Sequence, residues 1–249
     1  MPAPAQLNFD PNREEADLRA FLGDDYERER LERYQEVLDE EVAAIGDEGK
    51  LYRTSKAYLY NLTAFAMTGT KLPYLDALTR LIPPGSRVLD YGCGIGSDGL
   101  LLLEAGYRVE FADYDNPSTA FLRWRLEQRS LDAPVHDLDR EVPRGFDAAY
   151  AFDVIEHVPD AFGFLEELER RAALVEVNLL EFDPHEQELH YELPIRELLG
   201  HAAAKRLESY RLLHGTSHLL LYRPEQVGAP RRLLNRFRIA AGRARSRIP

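Results

Sequence analysis

The sequence predicts an α/β chain: a seven-stranded, mostly parallel sheet with its last strand reversed. Three features predict it. From residue 86 onward, short apolar runs alternate with stretches of helical spacing, the pattern of strand–helix–strand units. The run Val88-Leu89-Asp90 feeds Gly92, Gly94 and Gly96, as a buried strand does when it enters a tight turn ahead of a helix. Residues 205–213 and 217–223 are separated only by His214-Gly215-Thr216, so they must pair antiparallel, because a parallel crossover needs a longer connection.

The elements follow in order. Residues 1–12 are rich in Pro and polar groups and are expected to be mobile. Residues 13–46 place Leu18, Phe21, Leu22, Tyr26, Leu31, Tyr34, Val37 and Leu38 at roughly helical spacing, which predicts one or two amphipathic helices. Glu14, Glu15, Asp17, Asp24 and Asp25 are expected to form a solvated face of that region. Gly46 and Gly49 are expected to end it. Further helices are predicted over 54–66, with Thr54 or Ser55 as N-cap, and over 73–82. Pro83-Pro84-Gly85 then breaks the chain. Strands are predicted at 86–91, 107–112, 133–136, 146–152, 173–180, 205–213 and 217–223. Helices are predicted at 97–105, 117–129 and 159–171, with another starting near Pro194. This gives three regions: a helical extension over 1–82, an α/β core over 83–225 and a tail over 226–249.

Bulk properties narrow the function classes. With 249 residues, 45% of them hydrophobic, the chain can bury one sizeable core with extensions or two small domains. A net charge of −12 disfavours global attraction to nucleic acid. Cys93 is the only cysteine, which excludes an internal disulfide and a cysteine-based zinc cluster. With neither a signal-like segment nor an apolar run of about 18 residues, the expectation is a soluble cytoplasmic protein. The tail contrasts with the rest. After Glu225 it has no acidic residue, and Arg231, Arg232, Arg236, Arg238, Arg243, Arg245 and Arg247 interleave with Leu233, Leu234, Phe237, Ile239 and Ala240. Such a basic amphipathic segment either packs on the acidic N-terminal region or meets an anionic surface such as membrane lipid.

The glycine turn is the strongest chemical signal. Its glycines let a ligand approach the backbone, and the following helix offers free N–H groups and a positive dipole end. Asp90 adds a carboxylate at the carboxyl end of the strand, where open α/β sheets bind ligands. Gly94-Ile95-Gly96-Ser97-Asp98-Gly99 also fits the GxGxxG pattern of nicotinamide dinucleotide sites, a weak match on its own. Asp113, 23 positions after Asp90, stands near the spacing of a ribose-binding acid.

Asp90-Tyr91-Gly92-Cys93-Gly94-Ile95-Gly96 resembles motif I of the class I S-adenosylmethionine-dependent methyltransferases. Three further segments resemble that family in order: 106–113 its second strand, 136–138 the end of its third, and 146–158 its fourth strand and following loop. The resemblance covers roughly residues 70–223. It implies a Rossmann-like methyltransferase fold with S-adenosylmethionine as cofactor. It further implies that Asp90 sits near the methionine end, Asp113 at the ribose, and Asp137 and Leu138 at the adenine, with Gly92, Cys93, Gly94, Gly96 and Tyr114 also in the cofactor site. Phe152 and Asp153 would also line the cofactor. Cys93 reads as a small loop filler.

Methyl transfer asks mainly for alignment of nucleophile and methyl group and exclusion of water, with deprotonation of some acceptors. His157 is a candidate base, and His190 and Tyr191 are candidates where the family builds its acceptor site. His185, Glu188 and His190 have no spacing specific to a metal, and no metal is assigned. Tyr52, Arg53, Tyr58 and Tyr60 are candidates to close over the pocket. The expected function is methylation of a small molecule at O or N. A nicotinamide-dependent oxidoreductase and a non-catalytic methyltransferase-like subunit stand as alternatives. The sequence gives no reading of oligomeric state.

Overall fold

The structure is a computed structural model that describes residues 6–46, 48–181 and 190–245. It forms two compact units, residues 1–142 and 143–249.

The first unit begins with helices. Helix α1 (Pro11–Leu22) starts immediately after Asp10, whose side chain accepts from the Asn12 N–H. Then come α2 (Arg28–Glu32), α3 (Tyr34–Ile45), α4 (Glu48–Thr54), α5 (Ala57–Met67) and α6 (Leu72–Thr79). The region expected to hold one or two helices up to residue 46 is therefore cut into three, with a 3-10 turn at Gly23–Asp25. The strands and helices β1 (Arg87–Tyr91), α7 (Ser97–Glu104), β2 (Arg108–Asp113), α8 (Pro117–Gln128) and β3 (Val135–Asp137) follow. β1 and β2 pair in parallel, and so do β2 and β3.

Two local expectations are corrected. Gly46 does end a helix: its left-handed conformation closes α3, with its N–H on the Val42 carbonyl. Gly49, however, lies inside α4. The helix expected over 54–66 is α5, and α4, which was not expected, precedes it. The Ser55 hydroxyl accepts from the Tyr58 N–H at 2.9 Å, which is the capping role foreseen for it, whereas Thr54 Oγ1 bonds back to the Lys50 carbonyl in the last turn of α4.

The helical region has its own core. Leu18 and Leu31 pack with Leu59, Tyr60, Ile95 and Phe121, all nearly or fully buried. Phe21 lies 4.9 Å from Phe121 between ring centres. Ile95 belongs to the glycine turn, so this apolar cluster holds the turn from behind.

The second unit contains β4 (Ala148–Ala151), a 3-10 turn at Ile155–His157, α9 (Ala161–Arg171), β5 (Val175–Leu180), α10 (Ile195–Ala204), β6 (Lys205–Leu213), β7 (Ser217–Gln226) and α11 (Ala229–Arg245). β4 and β5 are parallel, while β7 runs antiparallel to both β5 and β6. Val175, Val177 and Leu179 and the run Leu219-Leu220-Leu221-Tyr222 are fully buried, as expected of strands covered on both faces. The strand order is β3-β2-β1-β4-β5-β7-β6. The seven strands, mostly parallel with β7 reversed, are those the sequence predicts.

α11 lies on α10 and β6 of its own unit. The Asn235 side chain donates to the Ala203 and Lys205 carbonyls, and Arg238 to those of Leu207 and Glu208. No helix among the described residues is long and apolar enough to cross a membrane.

Candidate functional site

In the first unit the carboxyl ends of β1, β2 and β3 carry Asp90 with the glycine turn, Asp113 and Asp137. Register places Asp113 directly beside Asp137. Gly92, Gly94 and Gly96 all adopt positive φ. At Gly96 a side chain is doubly excluded: φ is +73°, and an added Cβ would stand 2.4 Å from Leu122 Cδ1. Gly99, in the first turn of α7, presses against Phe111 and the Asp90 carboxylate, where a Cβ would lie 2.9 Å from Asp90 Oδ2. The glycines therefore set both the turn and its fit against β1.

Asp113 is held by the backbone. Its Oδ2 accepts from the Gly94 N–H and its Oδ1 from the Tyr114 N–H, both at 2.7 Å. These bonds fix the carboxylate's plane and leave lone pairs on both oxygens for a ligand. Burial pushes its pKa up to about 6, although the two amides pull the other way. The Cys93 thiol is raised well above its ordinary value, first by burial and then by the Asp113 and Asp90 charges, so it is a protonated filler of the turn. The Leu138 N–H donates to the Asp113 carbonyl, and Asp137 Oδ1 accepts from the Asp139 N–H.

Helix α4 covers this edge. Arg53 donates to both oxygens of Asp139 at 2.5 and 2.9 Å, and its guanidinium lies 4.3 Å from the centre of the Tyr114 ring. The Asn116 side chain, which caps α8, also donates to the Tyr52 carbonyl. Arg53 and Tyr52 thus pack beside Asp139, Tyr114 and Asn116 at this edge. Tyr60 does not: it is 2% exposed, and its hydroxyl accepts from the Glu27 N–H.

The acidic face expected to be solvated is partly buried. Arg125 of α8 is fully buried and binds Glu14 Oε1 at 2.7 Å and Asp17 Oδ2 at 3.1 Å. It also donates to the Ile95 carbonyl and to Ser97 Oγ, whose hydroxyl donates to Glu14. Arg129 adds a 2.6 Å bond to Asp17. A buried guanidinium requires charged partners, and α1 supplies them. The sequence carries a signal for this: Arg125 falls between Phe121, Leu122 and Leu126 on the apolar face of α8.

The second unit holds the other predicted residues. Phe152 is buried and stacks on Tyr150 with ring centres 4.7 Å apart. Asp153 adopts a left-handed φ of +54°, and Asn178 of β5 holds it there: the Asp153 N–H donates to Asn178 Oδ1, and Asn178 Nδ2 donates to Asp153 Oδ1. The left-handed region is uncommon for a non-glycine residue, and this frame holds Asp153 in it. Ile155–His157 then form the 3-10 turn, with Glu156 fully buried.

His190 and Tyr191 are brought to that turn. The Tyr191 N–H donates to the Glu156 carbonyl at 2.7 Å, and the His157 and His190 rings lie 4.5 Å apart. Burial lowers the His190 pKa, opposed by the Asp153 charge. Tyr191 is 44% exposed. One ligand atom each from Glu156, His157 and His190 fall within 4.8 Å of one another, a set able to hold a cation. Glu156 was not singled out by the sequence. His185 and Glu188 lie outside the described residues.

The family described as methyltransferase domain matches residues 67–225. The chain belongs to that family. Its class is the S-adenosylmethionine-dependent one that the four ordered motifs resemble. A ubiquinone biosynthesis O-methyltransferase of Xanthomonas campestris pv. campestris (strain B100) is 31% identical over 105 residues, spanning 40% of this chain and 43% of that protein. The match thus spans less than half of the relative's length. The mitomycin 7-O-methyltransferase MmcR shares the fold at a TM-score of 0.54 and 19% identity, covering 87% of this chain and 74% of that one. Magnesium protoporphyrin IX methyltransferase of Synechocystis PCC 6803, solved with bound SAH, does so at 0.52 and 18%, covering 65% and 86%.

Proposed function

We propose that this chain transfers a methyl group from S-adenosylmethionine to a small molecule, at an oxygen or a nitrogen. The observation that carries the reading is the Asp113 carboxylate, aimed by the Gly94 and Tyr114 amides beside Asp137 and the glycine turn. The residues present fit such a ligand. Asp113 has lone pairs for two ribose hydroxyls, Asp137 and the Leu138 backbone suit an adenine edge, and Asp90 suits an ammonium. When bound, S-adenosylmethionine supplies a methyl group on a sulfonium, which is already a good leaving group. Arg53 and Tyr114 cover the ribose and exclude water. Phe152 and Asp153 are assigned to the cofactor on the family's pattern. His157, His190 and Tyr191 serve the acceptor. The relatives named for O-methylation favour oxygen, while a cypemycin N-terminal methyltransferase, 34% identical over 91 residues, keeps nitrogen open. A cytoplasmic setting is part of the proposal, in keeping with a single cysteine. Screening metabolites with labelled S-adenosylmethionine tests it. Label transfer to at least one small molecule, abolished by Asp113→Ala, is expected. Transfer that survives Asp113→Ala would remove the assigned site, and a chain that binds the cofactor without transferring label would be the non-catalytic subunit.

We further propose that α11 contacts anionic lipid. Asn235, Ile239 and Gly242 face the body of the unit. The opposite side presents Leu233, Leu234 and Phe237, 56%, 49% and 65% exposed, continued by Ala240, Ala241 and Ala244 at i, i+1, i+4, i+7, i+8 and i+11. Exposed Arg231, Arg232 and Arg236 accompany this stripe, each worth about 1 kcal/mol near an anionic surface. An apolar stripe edged by cations matches a bilayer interface. Co-sedimentation is expected with phosphatidylglycerol vesicles, to weaken with salt, and to be largely lost in Phe237→Glu. Equal binding to phosphatidylcholine, or dimerisation through this face in light scattering, would contradict it.

A further inference from the structure

We propose that Glu156, His157 and His190 bind one divalent transition-metal ion, and that this ion receives the acceptor. The second half rests on the proposed methyl transfer; the first does not.

Three observations support the site. The ligand atoms of all three side chains fall within 4.8 Å of one another. Ligands about 2.1 Å from one ion lie roughly 3 to 3.5 Å apart, so a spacing of up to 4.8 Å closes by at most about 1.3 to 1.8 Å through side-chain rotation. Two chain segments are fixed to create this convergence: the 3-10 turn carries Glu156 and His157, and the Tyr191 N–H bond to the Glu156 carbonyl delivers the neighbouring His190. Finally, the setting favours a cation. Glu156 is fully buried, and Asp153, three positions before it, is locked by Asn178.

The donor set selects the ion. Two imidazoles and one carboxylate suit Zn²⁺, Mn²⁺, Fe²⁺ or Co²⁺ better than Mg²⁺ or Ca²⁺, which prefer oxygen shells. Three protein ligands also leave coordination positions open, as in catalytic sites. An acceptor hydroxyl bound there is acidified and gives its proton to solvent. Its oxygen then forms the new bond to the methyl carbon, while the broken sulfur–carbon bond leaves its electron pair on sulfur.

The test uses the full chain, freed of metal by chelation and titrated with Co²⁺ by absorption spectroscopy and with Zn²⁺ by equilibrium dialysis. One equivalent with d–d bands is expected, weakened at least about tenfold in Glu156→Gln and in His190→Gln, with Mg²⁺ failing to compete. Circular dichroism of each variant checks folding, and either variant suffices if the other unfolds. No stoichiometric binding, or unchanged binding in a folded variant, would overturn the site. S-adenosylhomocysteine binding is measured in parallel. Cobalt binding without it leaves the metal site and sinks methyl transfer; the converse sinks only the metal.

Discussion

At the residue scale, the proposed cofactor contact of Asp113 would tie recognition to pH. Its pKa of about 6 in the folded chain lies above the ordinary 3.8. Between those values the folded chain holds a proton that the unfolded chain has released. The stability this group contributes is therefore present at acid pH and lost as pH rises through 6, by on the order of 1 to 3 kcal/mol. Ligand binding runs the opposite way, because the ionised carboxylate is the better acceptor for two hydroxyls. S-adenosylhomocysteine affinity is expected to rise roughly tenfold from pH 5 to pH 7, following the ionised fraction. Asp113→Asn is expected to bind more weakly and to flatten both profiles. Calorimetric titrations and urea unfolding across that range check this, and a wild-type affinity independent of pH would contradict it. Asp113 was legible in the sequence because a strand end and a spacing mark it. Glu156 was not, since nothing local distinguishes a buried glutamate after a strand from an exposed one.

At the element scale, the glycine turn is held from outside itself. α1 and α8 converge on it through Arg125, which binds the Ile95 carbonyl and Ser97 on one side and Glu14 and Asp17 on the other. Removing one partner of a buried ion pair strands the others and costs about 3 to 5 kcal/mol. Arg125→Ala is expected to lose stability of that order in urea unfolding and to loosen the turn. Arg125→Lys is expected to restore little, since an ammonium cannot reproduce the planar fork that serves Glu14, Asp17 and Ile95 at once. A loss within about 0.5 kcal/mol would show that the network contributes nothing. The strands and the helices from residue 97 onward were legible because their periods and breakers agree. The helices before residue 68 were less so. Their charges suggested a solvated face, and only the packing of α1 beside α8 reveals which acids are drawn inward. α4 shows the same limit: no helix was expected over Glu48–Thr54, whereas the Ser55 cap that follows it was marked locally.

At the scale of the whole molecule, the two units present different sets of polar groups. The first presents backbone amides and three strand-end carboxylates suited to a nucleoside. The second presents histidines beside a buried glutamate, suited to an acceptor or a metal. Chain order and strand pattern together reported the sheet, including the reversal of β7, because a short hairpin leaves no other pairing. They could not report α11's orientation, which depends on Asn235 finding the Ala203 and Lys205 carbonyls. The central claim is that the glycine turn and Asp113 select S-adenosylmethionine over a nicotinamide dinucleotide. Isothermal titration of the full chain with S-adenosylhomocysteine and with NADH tests it most directly. One S-adenosylhomocysteine per chain is predicted, bound at least about a hundredfold more tightly than NADH, near 2.7 kcal/mol. NADH binding as tight or tighter would contradict it.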